Sequence, residues 1–151
     1  MRHLETWLSS TVPDSNITIP GFNLFRKDRT DTSGGGVCIY LKNTLPSKHL
    51  DYCDQSGVES LWVSVRPHKL PRQITSLVLA VIYHSTRNTQ DENIVLKDHI
   101  QKNLDLILSK QPNALVIITG DCNPTTTGLR CKDIAQVNHL SQLVKFKTRD
   151  S

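Results

Sequence analysis

Residues 116–124 read VIITGDCNP: an apolar run that ends in a glycine, a carboxylate and, two residues later, an amide. A run of β-branched residues bounded by turn signals predicts a buried strand over 114–119. In open sheets, strand ends are where ligands usually sit. An aspartate there can activate a nucleophile or hold a cation. Gly-Asp and Asn-Pro are also ordinary turn signals, so a simple turn through Asp121 and Asn123 is the alternative reading.

Upstream of this strand lies the strongest helical signal. Thr89-Gln90-Asp91-Glu92 has the form of a capping box, and Leu96, Ile100, Leu104, Ile107 and Leu108 follow at helical spacing. Pro112-Asn113 closes that helix. Before it, Leu77 to Ile82 is apolar at every position, which predicts a central strand over 74–83 covered on both faces. Residues 59–66 alternate polar with apolar, as a half-buried strand does, and residues 22–26 and 37–41 read as shorter strands. Residues 16–19 also alternate ahead of the turn signal Pro20-Gly21. A second helix is expected from Lys132 to about Val144, with Ile134, Val137, Leu140 and Val144 on one face. A strand meander followed by helix, strand and helix predicts an α+β or layered α/β architecture with a mixed sheet.

The chain has 151 residues, enough for one domain, and 37% hydrophobic residues can bury a core. No run is long enough to cross a bilayer, and the first ten residues lack the apolar stretch of a signal peptide. The expectation is an intracellular protein with no membrane partner. A net charge of +4 permits contact with a polyanion, and the basic residues fall in groups such as Arg26, Lys27 and Arg29. The four cysteines form no CxxC pair and the six histidines no ligand pair, so neither a zinc ribbon nor a histidine metal site is expected. Free, mostly buried thiols are expected instead. Gly34-Gly35-Gly36 lacks the Lys-Ser/Thr and following helix of a phosphate-binding loop.

Singly, Glu5 is an exposed acid near a terminus, and Tyr83 a tyrosine at the end of a strand. Their order along the chain carries more. A Glu-Thr-Trp-Leu segment at Glu5 precedes Ile-Pro-Gly-Phe and an Arg-x-Asp-Arg loop. Gly-Gly-Gly-Val, Glu-Ser-Leu-Trp-Val, a strand ending in Tyr83, a helix and Gly-Asp-Cys-Asn follow. This series resembles the endonuclease/exonuclease/phosphatase superfamily. More narrowly, it resembles the apurinic-type endonuclease domain that precedes reverse transcriptase in non-LTR, LINE-type retrotransposons. The resemblance runs over essentially the whole chain.

The resemblance implies a four-layered α/β sandwich, two mixed β-sheets face to face with helices outside. It implies phosphodiester cleavage with Mg²⁺ or Mn²⁺, here a DNA endonuclease that nicks target DNA for retrotransposition. Glu5 then matches the metal-binding glutamate. Asp121 matches the aspartate that orients or deprotonates the attacking water, and Asn123 the asparagine that holds that aspartate and the phosphate. Tyr83 matches the tyrosine on the scissile phosphate. Arg29, Arg87 and Asn88 are candidate nucleic-acid contacts. The turn His84-Ser85-Thr86-Arg87-Asn88 departs from the proline-rich turn of many relatives, and Cys122 stands where a phenylalanine is common. The implied partners are DNA and a C-terminal reverse transcriptase domain, and the implied location is nuclear.

Relative to that family, a first strand with its asparagine and the C-terminal Ser-Asp-His part are expected and not found in residues 1–151, which therefore read as a partial domain truncated at both ends. His139, expected inside the second helix, is no substitute for the missing histidine. A defective fragment is the resulting expectation. The alternatives are a dead relic that binds DNA weakly through Arg26, Lys27, Arg29 and Arg87, or another phosphoesterase of the superfamily.

Overall fold

The computed structural model describes residues 8, 11–29, 36–85, 87–122 and 130–144. Strands β1 (Phe22–Lys27) and β2 (Val37–Lys42) form an antiparallel pair. Strands β3 (Ser47–His49), β4 (Ser60–Val65), β5 (Ser76–His84) and β6 (Ala114–Cys122) form a second sheet in that order. Pairing is antiparallel up to β5 and parallel between β5 and β6. The long helix α1 (Gln90–Lys110) makes the crossover that this parallel pair requires, and α2 (Cys131–Val137) follows β6.

Alternation along β4 and β5 sends side chains to two separate cores. Leu61, Val63 and Val65 meet Val37 and Ile39 of the two-stranded sheet, with Phe25, Leu77, Leu79, Val81 and Tyr83 packed against them. On the other face Trp62, Val78 and Ala80 pack on Ile107 of α1, and Ile82 packs on Leu96, Ile100, Leu104 and Ile134. The protein is therefore a mixed α/β fold: two sheets face to face, with both α-helices packed on the outer side of the larger sheet. Among the described residues no α-helix covers the outer side of the two-stranded sheet.

The capping box at the start of α1 forms as its sequence predicts. Thr89 Oγ1 accepts from the Glu92 N–H at 3.2 Å, and Glu92 Oε2 accepts from the Thr89 N–H at 2.6 Å. Five expectations are corrected. Residues 16–19 pair with no strand: a 3-10 turn, Asp14–Asn16, precedes them, and the Thr18 hydroxyl donates back to the Asp14 carbonyl at 2.7 Å. The strand over 114–119 is not buried as its apolar run predicts: β6 is an edge strand of its sheet whose described residues alternate between half-buried and exposed, with Leu115 44% and Ile117 37% exposed. Strand β4 is not half-buried but covered on both faces, because the serine on its helix side is satisfied internally. Leu108 does not join the buried face of α1 and is 43% exposed. The second helix stops at Val137 rather than near Val144. The Leu140 N–H reaches the Ala135 carbonyl and the His139 N–H the Gln136 carbonyl, while His139 takes a φ of 53°. That is a Schellman ending, so His139 sits just past the helix and not inside it.

The buried face of α1 also carries three polar side chains, Asn93, His99 and Asn103. His99 Nε2 lies 2.7 Å from Ser60 Oγ and 3.0 Å from Asn103 Nδ2, and its Nδ1 lies 3.0 Å from Gln55 Oε1. Trp62 Nε1 donates to the same Ser60 hydroxyl at 3.2 Å, and Asn103 donates to the Cys53 carbonyl at 2.9 Å. These partners suit a neutral imidazole that donates from Nδ1 and accepts at Nε2. Burial first, then the charge of Lys27, lowers the His99 pKa to about 4, and Asp54 opposes the shift only in part. Between pH 6.5 and 4 the unfolded chain binds a proton that the folded chain does not, so stability falls with pH through this window. We expect a loss of about 1–2 kcal/mol between pH 7.5 and 5. Urea melts at the two pH values, with His99→Gln as the non-titrating reference, should show the difference in wild type alone.

The thiols behave as expected where they are described. Cys53 is buried and Cys38 half-buried, both free. Burial pushes the Cys53 thiol up to about 12, so it stays protonated.

Candidate active site

The site is built where two parallel strands end. β5 and β6 run side by side in register, with Tyr83 opposite Asp121 and His84 opposite Cys122. Register partners in a parallel pair point to the same face, with strands about 4.8 Å apart. Tyr83 packs on the face toward the two-stranded sheet, so Asp121 shares that face at the same rim. Both are half-buried. The apolar run 116–119 thus carries its carboxylate to the mouth between the two sheets, and Asp121 still lies within β6 rather than in a turn beyond it.

Gly120 explains how the strand manages this. Its φ is +139°, and a Cβ placed there would lie 1.8 Å from the carbonyl oxygen of Ile82 on β5. Only glycine permits so close an approach of the two backbones one residue before the carboxylate.

Two further side chains complete the rim. Glu59, one residue before β4, accepts the Tyr83 N–H on its main-chain carbonyl at 2.9 Å. Its side-chain Oε1 accepts from Nε of Arg29, two residues past β1, and the two form an ion pair. The Arg29 guanidinium carbon stands 6.0 Å from the centre of the Tyr83 ring. Phenol, guanidinium and the Glu59 carboxylate thus meet at the open end of both sheets, with Asp121 on the strand beside Tyr83. On the opposite face of β5, buried His84 lies with Nε2 2.6 Å from Asn93 Oδ1, which ties the strand end to the first turns of α1.

The sequence-predicted residues divide accordingly. Tyr83, Asp121 and Arg29 are brought together. Arg87 is exposed and Asn88 half-buried on the connection after β5, where the Arg87 N–H donates to Ser85 Oγ and the Asn88 N–H to the Ser85 carbonyl. Glu5 and Asn123 lie outside the described residues. Glu59 was legible only as part of the Glu-Ser-Leu-Trp-Val segment. An acid directly before a strand that neighbours the tyrosine strand was the available signal.

The basic group near β1 is largely spent inside the protein. Arg26 pairs with Asp28 and Asp14 and donates to the Val12 carbonyl at 2.8 Å. Lys27 donates to the Gln55 carbonyl at 2.9 Å, and burial lowers its pKa. Among the described residues there is no cluster of three or more His, Cys, Asp or Glu side chains able to hold a metal, and no helix long and apolar enough to cross a membrane.

No family model matches the chain, and no curated protein matches it. Among solved structures it is similar to the endonuclease domain of TRAS1, a telomere-specific non-LTR retrotransposon, with a TM-score of 0.48 and 12% identity. The match covers 72% of this chain and 44% of that one, so the chain spans less than half the length of the domain it is compared with.

Proposed function

We propose that this chain is part of a metal-dependent phosphodiesterase, a DNA endonuclease of the kind that opens target DNA for retrotransposition. The observation that supports it most is the register pairing of Tyr83 with Asp121 at the carboxyl ends of two parallel strands. These are two of the residues that the order of motifs singles out for phosphate contact and water activation. In this reading the Asp121 carboxylate orients the attacking water and takes up its proton. The Tyr83 hydroxyl donates to a non-bridging phosphate oxygen. Asn123 holds the aspartate and the phosphate in line.

The donor chemistry suits a hard cation: Glu5 and Asp121 offer carboxylate oxygen, and a cation that keeps several waters, such as Mg²⁺ or Mn²⁺, needs only one or two acids. Glu5 is the residue that would hold it. When bound, such an ion polarises the phosphate and eases departure of the leaving oxygen. DNA is the proposed substrate, a reverse transcriptase domain the proposed neighbour in a longer chain, and the nucleus the proposed location.

A plasmid-nicking assay tests this. Supercoiled DNA is incubated with the 151-residue chain, and with the longer chain encoded around it, in Mg²⁺ or in EDTA. Relaxed circles that appear with the longer chain only, require Mg²⁺ and vanish in its Asp121→Ala variant are the expected result. Retention of DNA without nicking by either chain would leave a binding protein, and activity that persists in EDTA would defeat the metal-dependent reading.

A further inference from the structure

The three-residue cycle at the rim has a purpose that the chemistry of Asp121 alone does not explain. Glu59 grips Tyr83 through the main chain and Arg29 through its side chain, and Arg29 lies against the Tyr83 ring. Arg29 belongs to the end of the two-stranded sheet, whereas Glu59 and Tyr83 belong to the larger one. The cycle therefore clasps the two sheets at their open end, next to the carboxylate that the register puts beside Tyr83.

We propose that Arg29 and Glu59 are positioning residues, an ion pair that fixes the Tyr83 phenol relative to Asp121, and that Arg29 is not itself a phosphate contact. This rests on the phosphodiesterase reading above. Three observations carry it. First, the Glu59 side chain is only 14% exposed, and its Oε2 is buried and accepts no hydrogen bond from the described residues. A carboxylate so withdrawn from water needs its cation held close, because breaking a buried pair leaves an uncompensated charge. Arg29 is that cation, with its Nε committed to Glu59. Second, a planar guanidinium can donate to a carboxylate and lie against an aromatic ring at once, which an ammonium cannot do as well. Third, Tyr83 stands one residue before the end of β5 and is only half-buried, and the Arg29 guanidinium from the other sheet lies 6.0 Å from its ring centre.

The two roles for Arg29 predict opposite results. As a phosphate contact, it would be released by Glu59→Gln, and DNA affinity would rise with turnover kept. Arg29→Lys would keep most of the affinity. As a positioning pair, both variants should lower kcat about 10-fold while KM changes less than twofold. A readout independent of activity runs alongside. The chain has three tyrosines, Tyr40, Tyr52 and Tyr83. Labelling with 3-fluorotyrosine gives each its own ¹⁹F resonance, with Tyr83 assigned by Tyr83→Phe.

The expected result is that Glu59→Gln and Arg29→Lys each move or broaden the Tyr83 resonance and leave those of Tyr40 and Tyr52 in place. If Glu59→Gln fails to fold, Arg29→Lys decides alone. An unmoved Tyr83 resonance in a folded variant, or an unchanged kcat, would overturn the proposal. If the wild-type protein does not nick DNA at all, the function above fails, and the fluorine spectra still decide whether the pair fixes Tyr83.

Discussion

Gly120→Ala should cost about 3 kcal/mol or more, among the largest effects of any single added methyl group in this chain. The added Cβ would sit 1.8 Å from the Ile82 carbonyl oxygen and 2.8 Å from the Ile82 carbonyl carbon and nitrogen. All three are backbone atoms of the neighbouring strand, so no rotamer change can relieve the overlap. The φ of +139° is also closed to alanine. Either β6 separates from β5 at Ile82 and Gly120, or the peptide flips and Asp121 leaves the rim. Both outcomes uncouple Asp121 from Tyr83. Gly21→Ala is the control: its φ is +83°, but a Cβ there meets nothing within 4 Å. It should cost only about 1–2 kcal/mol, the price of the left-handed conformation. Denaturant melts of the two variants separate the cases. Equal losses would mean that strain at the backbone dihedral, and not the close approach to β5, dominates at Gly120.

Asp121→Asn should lower the nicking rate about 10²- to 10⁴-fold, the range over which a positioned general base contributes. The exchange is nearly isosteric, and Asp121 is only half-buried at an open rim, so an amide is accommodated without an unpaired buried group. Stability should therefore change by no more than about 1–2 kcal/mol, far less than the loss of rate. Single-turnover nicking in Mg²⁺, alongside a melt of the same preparation, reads both quantities. A variant that melts like wild type and nicks at the wild-type rate would remove Asp121 from the reaction and leave it a residue of the strand end. A variant that loses both would show a structural role instead.

Much of this arrangement can be read along the chain, and the reasons are local. The capping box at Thr89 and Glu92 is a contact between residues three apart, so it is written in four consecutive letters. The run 77–82 announces a central strand, and β5 is one, with neighbours on both sides. The same reasoning fails for 114–119, where the apolar letters Leu115 and Ile117 are exposed on an edge strand, although the acid at its exit is plain to read. The order of motifs extends this to a candidate chemistry without any knowledge of distances.

Other features depend on partners far apart in the chain. The end of α2 at Val137 was hidden because its left-handed residue is His139, and only the hydrogen bonds from Leu140 and His139 reveal the stop. Ser60 reads as a solvent-facing position of an alternating strand. It is buried because His99, 39 residues away, satisfies it. The basic letters Arg26 and Lys27 suggest a surface for polyanions, yet their charges meet Asp14, Asp28 and Asp54 within the protein.

The sequence by itself determined the longer strands and helix α1, and that a carboxylate stands at the exit of an apolar run. Both follow from side-chain periodicity and from contacts within a few residues. Tertiary structure alone decided that Tyr83 and Asp121 share one register position, that Gly120 lets their strands touch, and that Arg29 pairs with Glu59. Register and ion pairing join residues 30 or more positions apart, and which acid meets which base is settled only when the two sheets close on each other.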